Sequence, residues 1–180
     1  MEKQIFATGS ITDSAPYRSD RADKGDLEGV GTLRWVGDKL YRWVQNTHNA
    51  ALSAGDSVYH AMADGDDMFK YVEDGLAETA GVLGGVVAST SIAAASSDGG
   101  SDGGFGWIQV LGYNGEVLVT NTTNVTIAAG DYLQGVSGQT YLTRDGANQP
   151  KYTRNIKILE TFAVSTQPAA AKKKCLINCI

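Results

Sequence analysis

Residues 44–56 read VQNTHNAALSAGD, and residues 119–131 read VTNTTNVTIAAGD. Val, Asn, Thr, Asn, Ala, Gly and Asp return in the same order at a constant offset of 75, without a gap. With that offset held, Gly31 falls on Gly106 and Gly37 on Gly112, so GTLRWVG overlies GWIQVLG. Nine of the 26 positions from 31 to 56 are then identical: Gly31, Gly37, Val44, Asn46, Thr47, Asn49, Ala54, Gly55 and Asp56. Each type has a physical role. Glycine permits turn geometries that a Cβ forbids, and Asn and Thr bond nearby backbone and end a strand. AGD reads as a tight turn launching the next strand. A chain that repeats this punctuation is expected to contain two related antiparallel β-units. An isolated hairpin is barely stable, so the units should combine as one barrel or sandwich.

The rest of the chain agrees with an all-β fold. Gly37-Asp38 separates TLRWV from KLYRWVQN, a hairpin signal. Leu40, Arg42 and Val44 then share one face, and Tyr41, Trp43 and Gln45 the other. SVYHAMA, MFKYVE, GVLGGVVAST, GWIQVLG, GEVLVT, DYLQGV, TYLTR and NIKILETFAV continue the series of short runs. The one helical competitor, residues 66–80, carries Gly75 in its middle. Downstream of the quoted stretches the halves agree loosely, Asp74-Gly75 against Asp145-Gly146 with a four-residue slip. The organisation expected is an extended arm over 1–30, a β-domain over 31–163 and a C-terminal tail over 164–180. The domain divides into units of about 31–88 and 106–163, joined by a flexible Gly/Ser/Asp loop over 89–105. Its core should contain Leu33, Trp43, Val44, Val58, Val86, Trp107, Ile108, Val110, Val119, Leu133 and Ile158.

Composition excludes several functions. Twenty-two glycines and three prolines in 180 residues suit a turn-rich β-protein. A net charge of -5 argues against nucleic acid, which needs a basic surface. No apolar run is long enough to span a membrane as a helix, and MEKQIFATGSITDSAPYRSD lacks the apolar stretch of a signal peptide. Cys175 and Cys179 form a lone C-x-x-x-C, poor grounds for zinc or a disulfide framework. DGDDMFKYVED starts like a calcium loop but puts Met68 and Phe69 where an oxygen ligand and a glycine belong. SDGGSDGG reads as a linker. His48 and His60 stand in a turn and a strand, and no nucleophile elbow accompanies them. No motif carries catalysis, and no cofactor or metal is expected.

GTLRWVGDKLYRWVQN, LSAGDSVYHA, GVVAS, FGWIQVLGYNGEVLVTN and IAAGDYLQGV together resemble the small β-rich capsid decoration (cement) proteins of tailed bacteriophages. The resemblance spans roughly residues 30–163 and rests on structural turns and core strands. It implies a β-barrel-like virion protein, made in the host cytoplasm, that binds the outside of the head. Its partners would be the major capsid protein and further copies of itself, as a dimer or trimer. It implies no catalytic residue. The contact candidates are Phe6 in the arm and Lys172, Lys173, Lys174, Leu176, Ile177 and Ile180 in the basic-apolar tail. That tail is expected to dock on a neighbouring chain, with reduced cysteines, and to be dispensable for folding. The alternative function is a carbohydrate- or receptor-binding module of a fibre or cell surface, using Trp35, Trp43 and Trp107 as a stacking platform.

Overall fold

The computed structural model describes residues 9–18, 20, 22–60, 69–73, 82–95, 103–121, 126–136, 138–145, 155–163 and 170–180. Among these residues there is no helix. The strands are β1 (Ser14–Ala15), β2 (Leu33–Val36), β3 (Lys39–Asn46), β4 (Leu52–Ser53), β5 (Ser57–His60), β6 (Tyr71–Glu73) and β7 (Leu83–Val87). They continue with β8 (Ser91–Ile92), β9 (Phe105–Val119), β10 (Tyr132–Gly135), β11 (Leu142–Arg144), β12 (Ile156–Ile158) and β13 (Ala171–Asn178). Eleven strands make one mixed sheet, and β4 pairs separately with β8.

The sheet closes on itself twice. In the first circuit β3 pairs parallel with β6, and β6, β5, β7, β9 and β3 then follow in antiparallel contact. In the second, β9 pairs parallel with β11, and β11, β10, β12, β13 and β9 follow antiparallel. The two five-strand rings share β9. Its first half, 105–111, closes the first ring against β3, and its second half opens the second ring against β13. Each ring therefore contains one parallel contact, where purely antiparallel units were expected.

The registers repeat as well as the order. Ser57 pairs with Val86 and Val58 with Gly85 in the first ring; Tyr132 pairs with Lys157 and Leu133 with Ile156 in the second. The AGD turns are also equivalent. Asp56 accepts the Ser53 amide on its carboxylate at 2.7 Å and donates its own amide to the Ser53 carbonyl at 3.0 Å. Asp131 makes the same two bonds with Ala128, both at 3.0 Å. Gly55 and Gly130 take φ of 95° and 98°, a backbone that glycine alone adopts cheaply. One part of the quoted repeat behaves differently. The residues before Gly37 fold back as a hairpin, β2 on β3, whereas those before Gly112 run on through it as one strand.

The unit boundaries consequently move. The first ring's last strand is 105–111, which the repeat had assigned to the second unit, and the second ring's last strand is β13, which the sequence reading placed in a tail. The segment 171–180 alternates: Ala171, Lys173, Cys175, Ile177 and Cys179 point in, and Lys172, Lys174, Leu176, Asn178 and Ile180 point out. Cys175 and Ile177 sit fully buried in the same apolar cluster as Val58, Val119, Leu133 and Ile158. A fully buried Ile contributes about 1.5–3 kcal/mol. The tail is thus part of the fold.

The described part of the N-terminal arm is also packed. β1 pairs with β9 through Ser14↔Gly106 and Ala15↔Phe105. Ile11, Tyr17 and Val30 cover a second apolar cluster of Tyr41, Trp43, Phe105 and Trp107. The Trp43 indole donates to Asp26 at 2.7 Å, and the Arg34 guanidinium lies 4.6 Å over Trp107. Both faces of β3 are buried for this reason. Of the loop expected over 89–105, the described parts include β8 and are anchored to the fold, although Thr90, Ser91 and Ala93 are exposed. Ser89 and Ile92 are buried, and the Gly103 amide donates to Asn46 at 3.0 Å. All expected core residues are buried except Leu33, which is 49% exposed. It lies on β2, whose partner is β3, at the margin of the first ring with no layer over it among the described residues.

Candidate protein-binding face

The cross-strand row Ser57, Val86, Gln109 runs over the outside of the first ring, and all three residues are buried. What buries them is the second ring. The Ser57 amide and hydroxyl both donate to the Thr140 carbonyl, at 2.7 and 2.9 Å. Gln109 donates to the Tyr113 carbonyl at 3.1 Å and accepts from the Asn114 amide group at 3.1 Å. Gly55 presses on the backbone carbonyl of Glu116, and its own carbonyl accepts from the Leu118 amide at 3.0 Å. A β-carbon at Gly55 would strike that Glu116 oxygen.

The same row in the second ring is Tyr132, Lys157 and Leu176. Nothing in the described chain covers it. Tyr132 is 37% and Leu176 46% exposed, and Ala128, Ala129 and Gly130 of the adjoining turn are exposed as well. Register extends the row to Tyr113, opposite Leu176. Each tyrosine ring is backed by an ammonium group, Lys157 at 5.6 Å from Tyr132 and Lys39 at 5.8 Å from Tyr113. Such contacts hold a cation over an apolar ring without neutralising it.

Further along β13 the outward positions are Lys172 and Lys174. Lys172 pairs with Glu116 at 3.1 Å, both side chains more than half exposed. An exposed pair of this kind contributes about 0–1 kcal/mol and is screened by salt. The Lys174 backbone amide donates to Glu160 at 3.1 Å. Ile180, beyond the strand, is 69% exposed. The outer side of the second ring thus carries Lys157, Lys172 and Lys174 beside Glu116 and Glu160, with the apolar Leu176 and Ile180 exposed among them.

The contact residues expected from sequence separate by strand parity. Lys172, Lys174, Leu176 and Ile180 lie on this face. Lys173 turns inward over the Phe162 ring at 4.4 Å, and Ile177 is core, so neither presents itself to a partner. Phe6 lies outside the described residues, as does the DGDD stretch. Tyr113, Tyr132, Lys157 and Lys39 escaped the sequence reading. Only the pairing of four distant strands gathers them. Both cysteines are buried, and burial pushes their thiols up to about 12, which keeps them protonated and unreactive.

The stacking-platform alternative loses two of its three residues, since Trp43 and Trp107 are in the core; Trp35 remains, 61% exposed. The histidines do not converge. His48 closes a turn, accepting the Ala50 amide at 3.2 Å. His60 is buried beside Arg42 at 3.3 Å and edge-on to Phe69. Burial, and secondarily the Arg42 charge, push its pKa down to about 4. No family model matches the chain, and no curated protein is significantly similar to it.

Proposed function

We propose that this chain is a structural virion protein, a decoration protein that binds the outer surface of a tailed-bacteriophage head and stabilises the capsid lattice. The observation that carries the reading is the exposed stripe of Lys172 and Lys174, ending in Ile180, on a strand locked into the sheet. A lattice protein needs a rigid presenting surface, because ordering a loose tail on binding costs conformational entropy. Basic side chains flanked by apolar ones suit an acidic, partly apolar surface on the major capsid protein, and the charges speed encounter more than they strengthen the final complex. The closed rings suit the mechanical role, since a sheet joined to itself leaves few open edges.

The test is co-sedimentation with undecorated heads. The wild-type chain should pellet with heads at a copy number set by the lattice, and more weakly as salt rises. The K172E/K174E double variant changes two exposed side chains, so it should fold normally and lose retention. Equal retention of the double variant, or no binding by the wild type, contradicts the assignment.

A further inference from the structure

We infer that the open row of the second ring, Tyr132, Lys157 and Leu176, is a socket for a second copy of this chain, joined head to tail. The pattern for this contact exists inside the molecule. The equivalent row of the first ring is covered by the second ring: Ser57 bonds the Thr140 carbonyl, Gln109 bonds Tyr113 and Asn114, and Leu118 donates to the Gly55 carbonyl beside the row. The second ring carries the same turn with the same hydrogen bonds, and there it is exposed. In a stacked repeat each unit buries its neighbour's face, and the last unit's face is left over.

The complementary end is the first ring's margin. The position matching Leu118 is Trp43, and its amide donates to the Thr32 carbonyl at 2.9 Å. The residues 32–36 therefore occupy, on β3, the place that the preceding ring's turn would take. They leave a margin strand with Leu33 49% and Trp35 61% exposed, and Asp38 exposed at its turn. Apolar Leu33 and Trp35 match Tyr132 and Leu176, and the Asp38 carboxylate matches Lys157. A pairing of two different surfaces is heterologous, so it extends into a closed ring or an open row of copies.

Sedimentation velocity over a concentration series tests this with the full chain, needing no virus head, so its outcome is independent of head binding. Wild type should associate beyond a dimer. Trp35→Glu and Leu176→Glu, both at exposed positions, should each be monomeric. Mixed in equal amounts they should form a heterodimer and nothing larger, because each variant keeps one intact end. Circular dichroism checks folding, and Lys157→Glu replaces the second variant if Leu176→Glu misfolds. A monomeric wild type at every concentration overturns the inference. So does association that survives either substitution, or a mixture that stays monomeric.

Discussion

The two rings have one design and two surroundings. Val58 and Leu133 occupy matching buried positions, Leu52 and Ile127 likewise, and the AGD turns share their bonds. Outside, they diverge. Tyr41 and Trp43 of the first ring are buried with Ile11, Tyr17 and Val30 packed against them, whereas their counterparts at the 75-residue offset are an exposed Glu116 and a half-buried Leu118. The outer row is sealed in one ring and open in the other. Inward positions and turns thus define the ring, and the neighbouring chain segment decides what its outer face must be made of. Where a neighbour covers it, the row is Ser57, Val86 and Gln109, with both polar side chains bonded; where no described residue does, it carries Tyr132, Lys157 and Leu176.

The greatest expected effect strikes the closing strand of the second ring. Deleting residues 170–180 removes Cys175, Ile177 and Cys179 from the core and opens the ring between β12 and β9. The truncated chain should lose its cooperative thermal transition, by calorimetry or circular dichroism. A transition unchanged by the deletion would restore the tail reading. Next in size is a tryptophan pair. Trp107→Ala should cost about 3–5 kcal/mol, whereas Trp35→Ala, at an exposed position, should stay within about 0.5 kcal/mol in urea unfolding of the monomer. Equal costs would mean that the aromatic face is not covered.

His60 makes stability pH-dependent, and this titration has no counterpart in the second ring, where Gly135 stands at the matching position. Its folded pKa of about 4 lies below the ordinary 6.5, so the unfolded chain takes up the proton first. The stabilisation is complete above pH 6.5 and declines as pH falls towards 4, by about 3 kcal/mol at about 1.4 kcal/mol per pH unit. His60→Gln should flatten that part of the stability curve; an unchanged slope would place the titration elsewhere. The smallest contrast is between the turn glycines. At Gly130 an alanine meets only the left-handed backbone penalty of about 1–2 kcal/mol. At Gly55 the alanine also meets the Glu116 carbonyl, so its cost should be the larger of the two. Equal costs would mean that the rings do not press together at that turn.

Much of this was legible in residues 31–56 and their echo, because turns are local. The Gly-Asp hairpin, the AGD turns and the two faces of KLYRWVQN need only short-range sterics and alternation. β13 was not legible for a specific reason. Three lysines before CLINCI read as a basic-apolar tail, and the alternation that buries Cys175 and Ile177 gains meaning only once a ring lacks a strand. Leu33 failed for the opposite reason: its alternation is regular, yet β2 lies at the margin and leaves it half exposed. The open row was beyond reach, since Tyr113, Tyr132, Lys157 and Leu176 come together through strand registers that no local pattern encodes.

The central claim, that two equivalent rings share β9 and that β13 completes the second, is tested most directly by hydrogen exchange at residues 171–179. The Cys179 amide donates to Val110 at 2.8 Å and Asn178 to Asn155 at 2.7 Å, while the Lys174 carbonyl accepts from Leu159 at 2.8 Å. Amides of β13 that bond to β9 and β12 should exchange as slowly as those of β9 itself, with protection close to that of global unfolding. Exchange at the rate of an unstructured peptide throughout 171–179 would contradict the second ring.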